Sequence, residues 1–360
     1  MSKSREPGHT DIGEASLADR FRRLIEGHGP ISLMEYMGEA NARYYATRDP
    51  LGAKGDFITA PEISQIFGEL IGLWLVDVWI RAGKPDPVHY VELGPGRGTL
   101  AKDALRVMAR YDLTPQVHFV EGSPTLRKAQ EKAVPDARFH DDLSEVPDNA
   151  PILLVANEFL DALPVRQLVR TANGWREVMV AAKGERFVLM AGAEPRDESV
   201  PASRRNLPKG TVLEMSPACA AVMGEIGQRL NDQGGTALVI DYGYTEPRAG
   251  SSVQAVREHS KVDAMEAPGE ADLTAHVDFV LMRHIAASKG ARWLGTVEQG
   301  RWLRRLGVDA RAEALAQAVP DRKDTVLGAR DRLVGTDQMG ELFKVMGLAA
   351  PGWPSGEGFA

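Results

Sequence analysis

The stretch that decides the fold is YVELGPGRGT, residues 90–99, which leads from an apolar strand through a glycine-rich turn into a helix. Glycines in such a turn let a ligand approach the backbone closely, and the first turn of the following helix directs its free N–H groups at that ligand. The glycine spacing is G-x-G-x-G, whereas dinucleotide sites have G-x-G-x-x-G. An acid, Glu92, precedes the first glycine, where it would repel a pyrophosphate and attract a cofactor with a cationic amino-acid end.

Strands and helices alternate after this turn. Residues 117–120 and 152–155 are predicted as strands, residues 137–139 as a weaker strand, and residues 99–111 and 123–133 as helices. The continuous apolar run at 152–155 is typical of a sheet that is covered on both faces. The sequence therefore predicts an α/β fold with a parallel, doubly wound sheet.

Acids at the ends of the next two strands extend the predicted ligand site. Glu121 ends the second strand, where a carboxylate can accept hydrogen bonds from both hydroxyls of a ribose. Asp141 and Asp142 close the third strand, where an acid or its neighbouring amide can meet an adenine edge. With the glycine turn, these features favour S-adenosylmethionine over a nicotinamide cofactor. The predicted cofactor-binding residues are Glu92, Gly94, Gly96, Gly98, Thr99, Glu121, Asp141, Asp142 and Asn157.

The fourth strand ends in VANEFLDALP, residues 155–164, which places two carboxylates and a carboxamide at the carboxyl edge of the sheet. Open α/β sheets bind their ligands at this edge. We predict Glu158, Asp161 and Asn157 as the catalytic residues, because such a cluster can hold a cationic or amide nucleophile and accept its proton. A structural alternative is that Asp161 caps a helix and Glu158 is solvated.

Further polar residues are predicted to contact the substrate or to cover it. Asp241 and Tyr242 follow the next apolar strand, and His276 and Asp278 lie in the later segment LTAHVDF. A surface histidine at a helix start is the alternative interpretation of His276. Residues 59–62, TAPE, are predicted to form a capping box that opens the long helix after them. The predicted lid residues are Asp56, Phe57, Thr59 and Glu62.

Composition limits the class of protein. The 360 residues carry a formal net charge of −7 and are 43% hydrophobic, which is ordinary for a globular protein and argues against binding to nucleic acid or to an anionic membrane. The most apolar stretch, 66–80, is shorter than a membrane span and contains Glu69 and Asp77, so we predict a buried helix and no membrane insertion. Cys219 is the only cysteine and no metal-ligand spacing occurs, so we expect neither a disulfide nor a metal.

The chain is predicted to have a flexible tail at 1–16, an N-terminal helical cap with a lid loop at 17–86, and a catalytic domain at 87–360. Hairpin turn signals predict an insertion at about 166–210, and the Gly-, Ser- and charge-rich residues 245–272 are predicted as a long loop or flap. The first residues contain no apolar segment and mix acids with bases, so we expect neither a secretory signal nor a transit peptide and predict a bacterial cytoplasmic protein.

Longer motifs surround the predicted site: RDPLGAKGDFITAPEIS (48–64), FGE (67–69), ELGPGRGT (92–99), NEFLDALP (157–164) and DLTAHVDF (272–279). They resemble the MidA-like family of S-adenosylmethionine-dependent methyltransferases, whose mitochondrial members are complex I assembly factors. The resemblance implies a class I methyltransferase Rossmann-like fold. It also implies methylation of a protein arginine, on the 49-kDa-type subunit of NADH:ubiquinone oxidoreductase.

For that reaction, we expect Glu158 and Asp161 to hold the acceptor guanidinium by its N–H groups and to accept a proton, while Asn157 orients the cofactor or the guanidinium. The expected partner is a protein substrate, a respiratory complex I subunit, and a homodimer is left open. Three alternatives also stay open: a small-molecule O- or N-methyltransferase, an assembly chaperone that binds the cofactor without catalysis, and an oxidoreductase.

Overall fold

The computed structural model describes residues 16–47, 58–257 and 259–359. The α-helices in these ranges are α1 (Leu17–His28), α2 (Leu33–Thr47), α3 (Ala60–Ile63), α4 (Gln65–Arg81), α5 (Thr99–Met108), α6 (Pro124–Ala133), α7 (Pro217–Gln233), α8 (Phe279–Ser288), α9 (Gln299–Arg305), α10 (Val308–Ala318), α11 (Lys323–Val334) and α12 (Met339–Leu342). The strands are β1 (Ile31–Ser32), β2 (His89–Leu93), β3 (Gln116–Val120), β4 (Arg138–His140), β5 (Ile152–Asn157), β6 (Arg166–Thr171), β7 (Gly174–Lys183), β8 (Arg186–Pro195), β9 (Val212–Met215), β10 (Gly235–Tyr244), β11 (Gln254–Arg257), β12 (Ser260–Val262), β13 (Asp272–Thr274), β14 (Val277–Asp278), β15 (Arg292–Glu298) and β16 (Phe343–Ala349).

The central sheet has the strand order β15-β16-β10-β5-β2-β3-β4, and β14 also pairs with β10. The strands from β10 to β4 run parallel, whereas β16 is antiparallel to both of its neighbours. Side chains of β5 alternate between the two faces, with Leu153 and Val155 in one core and Leu154 and Ala156 in the other. The predicted α/β fold with a doubly wound sheet is therefore confirmed, with one antiparallel strand.

The long apolar helix predicted at 66–80 is α4, and most of its residues are buried. It packs so closely on α5 that a Cβ added at Gly72 would lie 2.7 Å from the carbonyl oxygen of Ala104. In the described part of the chain, no helix is both long and apolar enough to cross a membrane.

Two smaller sheets stand apart from the central one. The predicted hairpin turns join β6 to β7 and β7 to β8 in a sheet that also contains β1 and β9. Part of the segment predicted as a long loop, 245–272, instead forms β11 and β12, and β11 pairs with both β12 and β13. That prediction was wrong for these strands because Ala255 and Leu273 are buried in one cluster with Phe21 of α1, a tertiary contact that the local composition does not reveal.

Other boundaries also differ from the sequence prediction. Residues 59–62 do not form the predicted capping box: the side chain of Thr59 makes no capping bond, and α3 ends before α4, which is capped by Ser64. The segment LTAHVDF is also not helical before Phe279: α8 begins at that residue, and Val277 and Asp278 before it form β14. The sequence prediction missed β15 and the helices α9 to α12.

Candidate functional site

A cavity of about 460 Å³ opens at the carboxyl ends of β2, β3 and β5. Helices α2 and α3 form its opposite wall. Its lining includes Asn41, Tyr45, Thr59, Glu62, Glu92, Gly94, Gly96, Thr99, Glu121, Ser123, Asn157, Glu158 and Phe159. One site thus contains residues that the sequence predicted separately. They come from the glycine turn, from the ends of β3 and β5, and from part of the predicted lid.

The glycine turn is shaped by left-handed backbone conformations. Gly94, Gly96 and Gly98 have φ of 59°, 57° and 76°, a region that glycine adopts without strain. A Cβ at Gly94 would lie 2.7 Å from the ring of Phe159, which also lines the cavity. A Cβ at Gly98 would instead lie 3.2 Å from the Cβ of Ala133 on α6. Gly94 therefore shapes the cavity wall, and Gly98 allows α5 and α6 to pack.

Two buried acids lie at the ends of the first strands. Glu92 accepts a hydrogen bond from the hydroxyl of Tyr90 at 2.6 Å, and burial raises its pKa to about 8 although that bond opposes the shift. Glu121 accepts hydrogen bonds from the backbone N–H of Ser123 at 2.7 Å and from the side chain of Gln130 at 3.0 Å. Burial raises the pKa of Glu121 as well. Both carboxyl groups are held in place before any ligand binds.

Asn157 and Glu158 form the polar end of β5. The Oε1 atom of Glu158 accepts hydrogen bonds from the backbone N–H of Ala60 at 2.9 Å and from the amide of Asn157 at 3.2 Å. Burial raises the pKa of Glu158 to about 7. Its φ is 49°, an uncommon conformation for a residue with a side chain, and such strain is concentrated at functional sites. The Oδ1 atom of Asn157 is buried and has no hydrogen-bond partner among the described residues.

Asp161 and Asp241 lie behind the cavity wall. The residues around Asp161 form a turn, so it does not cap a helix, and it is not among the residues that line the cavity. One carboxylate oxygen of Asp241 accepts the backbone N–H groups of Leu160 at 3.0 Å and Asp161 at 3.2 Å. The carboxyl group of Asp161 lies close to the side chain of Tyr242, and burial raises the pKa of both Asp161 and Asp241. These residues fix the backbone that follows Glu158.

Other predicted residues lie away from the cavity. Asp141 pairs with Arg127 at 2.5 Å, and Asp142 caps a short turn through the N–H of Ser144 at 2.9 Å. His276 lies 3.0 Å from the guanidinium of Arg248 and lines a smaller cavity together with Asp278, which caps α8. Asp56 and Phe57 lie outside the described residues.

Sequence reasoning missed the wall contributed by α2. The amide of Asn41 donates to the carbonyl oxygens of Ala162 at 2.8 Å and Leu273 at 2.7 Å. Tyr45 donates to Asp272 at 2.8 Å, and its carbonyl accepts the hydroxyl of Ser123 at 2.8 Å. A buried amide within an otherwise amphipathic helix was the available signal. Within the described ranges, no group of three or more His, Cys, Asp and Glu side chains is arranged to hold a metal ion.

The comparisons with known proteins decide the family. A family model described as a putative S-adenosyl-L-methionine-dependent methyltransferase matches residues 70–297. The chain belongs to the MidA-like family of S-adenosylmethionine-dependent methyltransferases. The chain is 38% identical to the Drosophila melanogaster protein arginine methyltransferase NDUFAF7 homolog over 94% of this chain and 86% of that protein. It is 36% identical to human protein arginine methyltransferase NDUFAF7 over 97% of this chain and 86% of that protein. Both names include the word mitochondrial, so they do not support the predicted cytoplasmic location.

A solved structure extends the likeness to the fold. It is described as a likely methyl transferase from Burkholderia thailandensis bound to S-adenosyl-homocysteine, with a TM-score of 0.84 and 26% identity, and the match covers 96% of this chain and 94% of that one. The methyltransferase described here uses S-adenosylmethionine, as its family does. Two features of the cavity lining fit that cofactor. The Oδ1 atom of Asn157 is an acceptor without a partner among the described residues, and the position of Gly94 has no room for a side chain.

Proposed function

We propose that this methyltransferase methylates an arginine of a protein acceptor, with the cofactor in the cavity at the carboxyl edge of the sheet. The observation that carries the proposal is the lining of this cavity by the carboxyl groups of Glu62, Glu92, Glu121 and Glu158. An acidic wall attracts a cationic cofactor and a cationic acceptor. The relatives named protein arginine methyltransferases support the same choice of acceptor.

The residues divide between cofactor and acceptor. We propose that Glu121 accepts the ribose hydroxyls, since it follows β3 and lines the cavity. In the same proposal, Glu92 and the unpartnered oxygen of Asn157 accept the N–H groups of the cationic amino-acid end. The bound cofactor supplies an activated methyl group. The chain therefore has to align the acceptor and exclude water rather than activate the donor.

Glu158 is the proposed proton acceptor. A guanidinium is a poor nucleophile because its charge is delocalised and its pKa is above about 12. A carboxylate beside it localises that charge and takes up the proton that the methylated nitrogen loses. With a pKa raised by burial to about 7, Glu158 is suited to hold a proton near neutral pH. Asp161 supports this acid through the backbone instead of touching the acceptor.

For the acceptor protein, we propose the 49-kDa-type subunit of respiratory complex I, which the family resemblance implies. The test is to incubate the purified methyltransferase and methyl-labelled cofactor with a lysate that lacks it, and to locate the label by mass spectrometry. We expect methylarginine on that subunit with the wild type and much less of it with Glu158→Gln. Label on a small molecule would contradict the proposal, and cofactor binding without any transfer would favour an assembly chaperone.

A further inference from the structure

The sequence analysis expects two carboxylates, Glu158 and Asp161, to hold the acceptor guanidinium. In the structure, Asp161 does not line the cavity, and its carboxyl group lies close to the side chain of Tyr242 instead. Any second carboxylate must therefore come from elsewhere in the cavity lining.

Of the other acids in that lining, Glu121 is proposed to accept the ribose hydroxyls of the cofactor. Its Oε1 accepts from the N–H of Ser123 and its Oε2 from the amide of Gln130. Glu92 lies within the buried strand β2, where Tyr90 donates to its Oε2. Both acids lie on the sheet side of the cavity, where the cofactor is proposed to bind. Within the described lining this leaves Glu62.

Glu62 and Glu158 are connected through the single turn of α3. The backbone N–H of Ala60, the first residue of α3, donates to Oε1 of Glu158 at 2.9 Å. Glu62, in the same turn, accepts the hydroxyl of Thr99 on its own Oε1 at 2.5 Å. In both carboxylates the described hydrogen bonds end on Oε1, so each Oε2 has no hydrogen-bond partner in the part of the chain that the structure describes.

We infer that Glu62 and Glu158 together bind the acceptor guanidinium, each through its Oε2 atom; this inference rests on the proposed function. A guanidinium presents its N–H donors in a planar fork along two edges, so two carboxylates that line the same cavity can each take one edge. An ammonium is a compact point charge and cannot satisfy both acids in the same way. The pair therefore selects arginine over lysine, and α3 holds the two acids together.

The test measures binding of a small probe, so that it does not depend on the identity of the acceptor protein. The affinities of Nα-acetyl-arginine methylamide and its lysine counterpart are measured on the full-length methyltransferase saturated with S-adenosylhomocysteine. We expect the wild type to prefer the arginine probe, and Glu62→Gln to bind it about tenfold or more weakly, because a charge-assisted hydrogen bond is lost. Glu62→Asp should recover part of this loss. The affinity for S-adenosylhomocysteine should stay within about twofold.

A matched variant distinguishes two roles of Glu62: binding of the acceptor guanidinium and support of Thr99. Thr99→Val removes the hydroxyl that Glu62 accepts but keeps both carboxylates, so it should weaken the arginine probe less than Glu62→Gln does. Equal losses in the two variants would show that Glu62 only holds Thr99, and would overturn the inference. Unchanged arginine binding by Glu62→Gln, or no arginine preference in the wild type, would overturn it too. A different result, the absence of methylarginine in the labelled lysate, would show that the proposed function is wrong.

Discussion

Replacing Gly94 with alanine perturbs the cavity at a point where the consequence can be worked out from the structure. The φ of 59° costs a residue with a side chain about 1–2 kcal/mol. The new Cβ would lie 2.7 Å from a carbon of the Phe159 ring. Since carbon atoms rest at roughly 3.5–4.0 Å, the ring has to move by about 1 Å, and one side of it lines the cavity.

We therefore expect Gly94→Ala to lose about 1–2 kcal/mol of unfolding free energy and to bind S-adenosylhomocysteine at least about tenfold more weakly. Calorimetric titration measures the affinity, and urea unfolding measures the stability. Gly98→Ala is the matched control, because φ is 76° there but the new Cβ meets Ala133 on α6. It should lose similar stability and keep most of the affinity. Undiminished cofactor binding by Gly94→Ala would refute this account of the turn.

Three further predictions concern the pH dependence of methyl transfer, the pH dependence of stability, and the contribution of Asp241 to stability. Burial raises the pKa of Glu158 to about 7, and a proton acceptor must be ionised to act. The rate of methyl transfer should therefore rise with pH through about 7, and this inflection should be absent in Glu158→Gln. A flat pH profile of the wild type would contradict the role of Glu158 as proton acceptor. Burial lowers the pKa of His118 to about 3. Below pH 6.5, the approximate pKa of an unperturbed histidine, the unfolded state therefore binds more protons than the folded state. The free energy of unfolding should then fall by up to about 1.4 kcal/mol for each pH unit below that value. Urea unfolding at several pH values should show a shallower fall for His118→Gln. Asp241→Ala leaves two buried N–H groups without their acceptor and should lower the free energy of unfolding by about 1–3 kcal/mol for each group, as measured by urea unfolding. A loss below that range would show that the turn does not depend on this acid.

The central sheet was predictable from sequence because its strands are local and apolar. The run at 152–155 is buried on both faces, and the glycine turn has to lie between a strand and a helix, so β2 to β5 were found with small boundary errors. The strands β11 and β12 were not found, because their burial depends on contacts with α1, far away in the chain. The hydrophobic pattern of one segment does not contain that information.

The site was predictable where an acid lies at the carboxyl end of a strand. Glu92, Glu121 and Glu158 all line the cavity, as expected for the carboxyl edge of a parallel sheet. Asp161 was predicted to hold the acceptor because it follows the same strand as Glu158, at the carboxyl edge of the sheet. Whether a side chain three residues further along a turn points into the cavity or behind it depends on the backbone conformation, here fixed by Asp241 from another strand. No local motif specifies that direction.

A crystal structure of the methyltransferase with S-adenosylhomocysteine tests the central claim most directly. We predict the ribose hydroxyls on Glu121, the amino-acid end near Glu92 and Asn157, and the sulfur facing Glu158. Ligand density outside the cavity, or inside it with the ribose away from Glu121, would contradict the assignment of this acidic cavity as the cofactor site.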